Sequence, residues 1–170
     1  MRGKDIDQVV LSGYFPGAVG RIIELHAVYY HRNWGFDVTF ETQVGRELSE
    51  FVRDYVPDRD GFWVAGLAGE IAGSVAIDGR MADKDGARLR WLIVDPRFQG
   101  RGIGSQLVRT ACRFCTDKGY CKVYLWTFEG LDAARHLYES EGFRLSEENP
   151  VFQWGQNILE QRFDLDPESR

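Results

Sequence analysis

The sequence predicts an α/β or α+β fold, a mixed sheet carrying helices on its faces. Three observations lead there. Hydrophobic residues make up 44% and charged residues 28% of 170 positions, the balance of a globular chain long enough to bury a core. The spacing of apolar positions changes from helical to strand-like near residue 62. From there the elements run β-β-β-α-β-α-β, with no repeat, low-complexity tract or internal boundary.

Each element has its own signal. Val9-Val10-Leu11 marks an edge strand within residues 6–14, closed by Phe15-Pro16-Gly17. Ile22, Ile23, Leu25, His26, Tyr29 and Tyr30 stripe a first helix over residues 19–30, stopped by Asn33-Trp34-Gly35. Val44, Leu48, Phe51, Val52 and Tyr55 share one face of a second helix, residues 42–55, which Pro57 ends. Short apolar runs at 62–67 and 70–77, joined by Ala68-Gly69, read as a hairpin. A third strand, 89–94, stops at Pro96. Residues 102–118 form a helix with Ile103, Leu107, Val108, Ala111 and Cys112 on one side. A strand at 121–127, a short helix at 131–140, and closing strands made by Phe143 and residues 151–165 complete the chain.

Composition narrows the function. A net charge of −5 and an isoelectric point near 5.3 argue against broad attraction to nucleic acid. No apolar run is long enough to span a bilayer, and the first eight residues lack a signal-peptide core, so the expectation is a cytoplasmic protein with no membrane partner. Cys112-x-x-Cys115 and Cys121 lack a fourth ligand at a supporting interval; the expectation is buried free thiols and no metal site.

The stretch 91–105, WLIVDPRFQGRGIGS, carries the chemistry. An apolar strand runs into a loop with glycines at 100, 102 and 104, and then into an amphipathic helix. Glycine allows close backbone approach, and the first helical turn offers amides with no internal partner, together an anion site suited to a pyrophosphate. Arg97 and Arg101 stand at its rim. A Walker loop requires Lys before Ser or Thr, and here Gly104 is followed directly by Ser105. A dinucleotide fingerprint requires G-x-G-x-x-G and an acidic residue about 20 positions on, where Lys118-Gly119-Tyr120 stand instead. A coenzyme A loop remains.

At these residues the chain resembles the GNAT superfamily of N-acetyltransferases. Val94-Asp95-Pro96 followed by Gln99-Gly100-Arg101-Gly102-Ile103-Gly104 matches the family's central motif. Ala134-Arg135-His136-Leu137-Tyr138-Glu139-Ser140-Glu141-Gly142-Phe143 matches the second. The resemblance implies one acetyltransferase domain over residues 1–170: a variable strand and two helices in 1–60, and an acetyl-CoA-binding core in 61–165. It implies a mostly antiparallel mixed sheet of about six to seven strands flanked by about four helices. The N-terminal part and the run Tyr124 to Phe128 look like acetyltransferase domains fused to MarR-type regulators, here without a winged-helix pattern.

The same resemblance implies acetyl-CoA as co-substrate, no metal, and direct attack by a small-molecule amine within a ternary complex. Leu92, Ile93 and Val94 would pair with the pantetheine arm, and the amides from Gln99, Gly100, Arg101, Gly102, Ile103, Gly104 and Ser105 would cradle the pyrophosphate. A backbone N–H near Val94 would polarise the thioester carbonyl. Tyr138 would protonate the leaving thiolate, its ordinary pKa near 10 suiting transfer to a thiolate of about 8.5. Many members carry Asn where this chain has Leu131; Thr127 or Asp132 are the residues placed to replace that contact.

The acceptor side has weaker signals. Glu41, after the aromatic run ending at Phe40, is the candidate base; Glu70, His26 and His31 read better as a solvated charge and satisfied histidines, and a water chain can also serve. Trp34, Trp91 and Trp154 are the candidate substrate-binding aromatics, and Arg88 and Arg90 stand where a substrate carboxylate would be selected. The closing strand 156–165 alternates and offers an edge for a homodimer. Two other readings compete: a non-catalytic acyl-CoA-binding regulatory module, motivated by Leu131, and an acetyltransferase acting on proteins or peptides. A redox or zinc role for the C-x-x-C is a distant third.

Overall fold

A computed structural model describes residues 8–169 of the chain. The N-terminal strand expected within 6–14 occupies only Val10–Ser12 (β1), and residues 6 and 7 lie outside the described residues. Helix α1 spans Ala18–Trp34, four residues past its expected end, because it closes on Gly35, whose left-handed backbone (φ 70°) returns its N–H to the carbonyls of His31 and Tyr30. Trp34 is therefore a helical residue. Helix α2 (Val38–Arg53) begins four residues before its expected start. Its cap is Asp37, whose carboxylate accepts from the Thr39 N–H at 2.9 Å.

Strands β2 (Gly61–Leu67) and β3 (Glu70–Asp78) form the expected hairpin, turning on Ala68 and Gly69, both at positive φ. Then follow β4 (Ala87–Val94), α3 (Ile103–Asp117), β5 (Val123–Phe128) and α4 (Asp132–Ser140). A final hairpin joins β6 (Arg144–Gln153) to β7 (Gln156–Leu165) through Trp154 and Gly155, again both at positive φ. Residues 144–150 of β6 gave no strand signal. They are a mostly exposed edge, rich in charge, where Pro150 costs no ladder bond that a central strand would need.

The seven strands form one sheet in the order β1-β2-β3-β4-β5-β7-β6, antiparallel except for β4 beside β5. Strand β7 lies between β5 and β6, so both its edges are occupied; the expected pairing of this strand across a homodimer has no edge to use. Alternation divides the core. Val75, Ile77, Leu89 and Val123 pack under α3 and α4 with Leu107, Val108, Ala111 and Phe143. Phe62, Val64 and Ala76 face α1 and α2, meeting Ile22, Leu48 and Phe51. Cys112 and Cys115 are buried in the first layer and Cys121 is exposed, contrary to the expectation of three buried thiols; none forms a disulfide.

Candidate active site

Strands β4 and β5 pair only at Ala87 with Val123 and at Arg88 with Tyr124, after which they run apart. The cause lies on the other side of β4. Ser74 is opposite Ile93 while Ala76 is opposite Arg90, so β4 holds one extra residue, a bulge. Trp91 sits in that bulge at φ 49°, and its carbonyl accepts the Ser74 hydroxyl at 2.8 Å. A bulge bends its strand, and here the bend leaves the far ends of β4 and β5 without partners on their facing edges. Two cavities open along this gap.

The first, of about 560 Å³, is lined by every predicted coenzyme residue between Leu92 and Ser105 except Arg101. Gly100 and Gly102 have φ of 77° and 76°, and Gly102 is the left-handed N-cap of α3. The first bond inside the helix is Gln106 N–H to Gly102 carbonyl at 3.0 Å, so the amides of Ile103, Gly104 and Ser105 precede the ladder. A Cβ on Gly104 would lie 2.8 Å from Leu137 Cδ1, so this glycine lets α3 start tight against α4. These features fit a pyrophosphate. The rim arginines contribute little to it. Arg97 is held by Asp95 (2.9 Å) and Glu70 (2.6 Å), and Arg101 is exposed with its guanidinium 5.9 Å from the Phe98 ring. What this groove offers an anion is therefore mainly backbone N–H groups.

Trp34 also lines this groove, not the acceptor side, because α1 carries it onto Phe128, ring to ring at 5.4 Å. Leu131 is the N-cap of α4, makes no side-chain capping bond, and touches both cavities. Of its two suggested substitutes, Asp132 lines the coenzyme groove and Thr127 the other cavity.

The second cavity, of about 380 Å³, lies on the α1/α2 side of the gap. Tyr138 forms part of its wall, 6% exposed, its ring packed near Phe143 and Phe163, and burial pushes its phenol pKa up. Trp91 and Trp154, two of the candidate substrate-binding aromatics, line this cavity together with Trp126. Trp154 is fixed by its indole N–H, which donates to Gln43 at 2.8 Å, and by its carbonyl, which accepts the Asp37 N–H at 3.1 Å.

Glu41 is absent from the cavity wall. It is exposed on α2, because the inward face of that helix is set by Phe40, Val44, Leu48 and Phe51, and residue 41 is turned about 100° away from residue 40. The α2 carboxylate that does reach the cavity is Glu47, and it is committed to an ion pair with Arg90. Glu160 on β7 lines the cavity too, and among the described residues no ion pair or side-chain hydrogen bond engages it. Sequence reasoning missed it; the signal was its place in the alternation of 158, 160, 162 and 164, which share a face with Tyr124 and Trp126. His26 lines the same cavity. Its Nδ1 lies 2.8 Å from the Ile22 carbonyl, and burial pulls its pKa down to about 4, so it is neutral at pH 7. Among the described residues no cluster of His, Cys, Asp and Glu is arranged to hold a metal ion, and no helix is long and apolar enough to cross a membrane.

The splayed parallel pair thus carries a glycine loop opening a helix at one end of its gap and a cavity with Tyr138 in its wall at the other. The acetyltransferase (GNAT) family model matches residues 22–143, and the chain belongs to this family of acetyl-CoA-dependent acetyltransferases. Among curated relatives, human N-acetylaspartate synthetase is 34% identical over 117 residues, 68% of this chain and 38% of that protein. Rat N-acetyltransferase 8 is 34% identical over 107 residues, 61% of this chain and 48% of that one. The chain spans less than half the length of these relatives. An acetyltransferase of the GNAT family from Staphylococcus aureus Mu50 superposes with a TM-score of 0.75 at 17% identity, over 94% of this chain and 99% of the other. A Salmonella typhimurium structure described with acetyl-CoA gives a TM-score of 0.69 at 16% identity, each chain covered to 95%. Both show the shared fold.

Proposed function

We propose that this chain is a single catalytic domain that transfers acetyl from acetyl-CoA to a primary amine of a small molecule, with both substrates bound together. The observation that carries this reading is the gap between β4 and β5, which connects a glycine-walled groove to a second cavity with Tyr138 in its wall. A concave volume of about 380 Å³ has the size of a small-molecule site. The curated relatives named N-acetylaspartate synthetase support a small amine as acceptor.

In this reading the unpaired edge of β4 from Leu92 to Val94 takes the pantetheine arm, and the amides of residues 99–105 hold the pyrophosphate. Tyr138, kept protonated by burial, donates to the departing thiolate. Glu160 accepts the amine proton, directly or through water. Proximity supplies most of the acceleration, since the chemistry asks only for two reactants held in line and two proton transfers. Thiols left unlinked, one of them exposed, suit action in the reducing cytoplasm.

The test is calorimetric titration of acetyl-CoA, then CoA release across a panel of small amines, with wild type and Glu160→Gln. Binding followed by turnover, with kcat reduced at least about 100-fold in Glu160→Gln, supports the reading. Tight acetyl-CoA binding with no turnover of any amine would instead favour a regulatory acyl-CoA-binding module.

A further inference from the structure

Two arginines project from β4 into the acceptor cavity, and the structure treats them differently. Arg90 is satisfied: Glu47 on α2 pairs with it, Asp78 lies 3.5 Å away, and its guanidinium stacks 4.1 Å from the Trp91 ring. Asp78 is further held by Arg80 at 2.6 Å. Arg88, two residues earlier on the same face, has none of this. Its Nε is buried with no hydrogen-bond partner among the described residues. Glu47 and Asp78, the carboxylates that bear on it, are already committed to Arg90 and Arg80. A buried donor left unpaired costs about 1–3 kcal/mol, a poor arrangement for a purely structural arginine.

We infer that Arg88 is a specificity residue that holds a carboxylate of the acceptor, so that the substrate of this site is an amino acid or a similarly acidic amine. The inference rests on the acetyltransferase reading above and names its substrate class. Arg88 is the last β4 residue paired with β5, opposite Tyr124, and so stands where the two strands separate, at the closed end of the gap. Its planar fork matches a carboxylate in a bidentate contact. Burial and the charge of Arg90 both disfavour its protonated form in the free protein, and a bound carboxylate relieves both. The cavity holds one further side-chain charge that no ion pair engages, Glu160 on β7. One cation and one anion left unpaired in the lining of one cavity match a zwitterion, the carboxylate at Arg88 and the amine at Glu160. A polycationic amine would meet Arg88 without compensation.

The experiment compares amino acids with their own amides: aspartate, glutamate, glycine and β-alanine against the corresponding carboxamides. Wild type, Arg88→Gln and Arg88→Lys are assayed for CoA release, with circular dichroism melting as a folding control. Wild type is expected to favour at least one free acid over its amide by about thirtyfold or more in kcat/KM. Arg88→Gln should abolish that preference through KM for the acid, with unchanged affinity for acetyl-CoA; Arg88→Lys should restore part of it. Equal use of acid and amide by wild type overturns the inference, as does an unchanged preference in Arg88→Gln. Should wild type turn over nothing, calorimetric titration of the N-acetyl amino acids and their amides into the CoA-loaded protein decides separately. Carboxylate binding lost in Arg88→Gln upholds the site while the catalytic reading fails, and no carboxylate binding overturns both.

Discussion

Tyr138→Phe removes one oxygen and leaves the ring. That ring is 6% exposed and lies 6.0 and 6.3 Å from Phe143 and Phe163, contacts that phenylalanine retains. The fold should therefore change in stability by no more than about 1 kcal/mol, the net worth of a typical hydrogen bond. The groove between β4 and α3 does not include this side chain, so acetyl-CoA affinity should hold. Catalysis should not. A positioned general acid contributes about 10²- to 10⁴-fold, or roughly 2.7–5.5 kcal/mol of barrier. The lower end is expected, because a thiolate of pKa about 8.5 leaves tolerably well without help. Burial raises the phenol pKa, so the group stays protonated through neutrality and the substitution lowers the kcat–pH profile between about pH 6 and 9 without reshaping it. The assay is CoA release at saturating substrates, beside calorimetry of acetyl-CoA binding. A kcat within threefold of wild type would refute the role, and so would a loss of acetyl-CoA affinity as large as the loss of rate.

Three further outcomes are expected. Gly102→Glu places a side chain at φ 76° and a carboxylate at the head of α3; strain of about 1–2 kcal/mol should lower the melting temperature by about 2–8 °C, and acetyl-CoA binding should weaken at least tenfold by calorimetry. Undiminished binding would mean that the pyrophosphate lies elsewhere. Gly73→Ala puts a Cβ 2.5 Å from the Ile93 carbonyl oxygen, a backbone atom with little freedom, so about 1–3 kcal/mol of stability should be lost in thermal melts. His26, with its pKa lowered from 6.5 to about 4, stays neutral in the fold while the unfolded chain protonates. Its stabilisation is complete above pH 6.5 and falls as pH drops to 4, by about 3 kcal/mol in total. Urea unfolding of His26→Asn between those pH values should show a shallower slope than wild type.

The core was legible because its elements are buried on a regular period. The hairpin at Ala68-Gly69, the helix under Ile103 to Cys115 and the glycines at its start follow from residues adjacent in sequence. Helix ends were less so: Gly35 and Asp37 set the start of α2 and the end of α1 through backbone geometry and one capping carboxylate, signals that an apolar stripe does not contain. Residues 144–150 of β6 carry no strand pattern because they lie on an edge, where exposure removes the alternation that a two-sided core imposes.

The acceptor site resisted for a different reason: it is assembled across the sheet from α1, α2, β4, β5, α4 and β7, and its chemistry depends on which charges cancel. Arg88 and Arg90 are equivalent in sequence, two residues apart on a strand of period 2, and nothing local separates them. What separates them is Glu47, forty-three positions earlier, which the third turn of α2 brings into an ion pair with Arg90 and not with Arg88. Glu41 carries the right chemistry for a base, but helical geometry turns it outward, about 120° around α2 from Glu47, the carboxylate of that helix that reaches the cavity. The groove at residues 99–105 offers backbone amides in a contiguous loop, a feature that a short motif can carry. The acceptor recognition proposed above uses the charge left in a cavity after its internal ion pairs are made, and that remainder, a cation at Arg88 and an anion at Glu160, exists only once β4, β7 and α2 line one cavity.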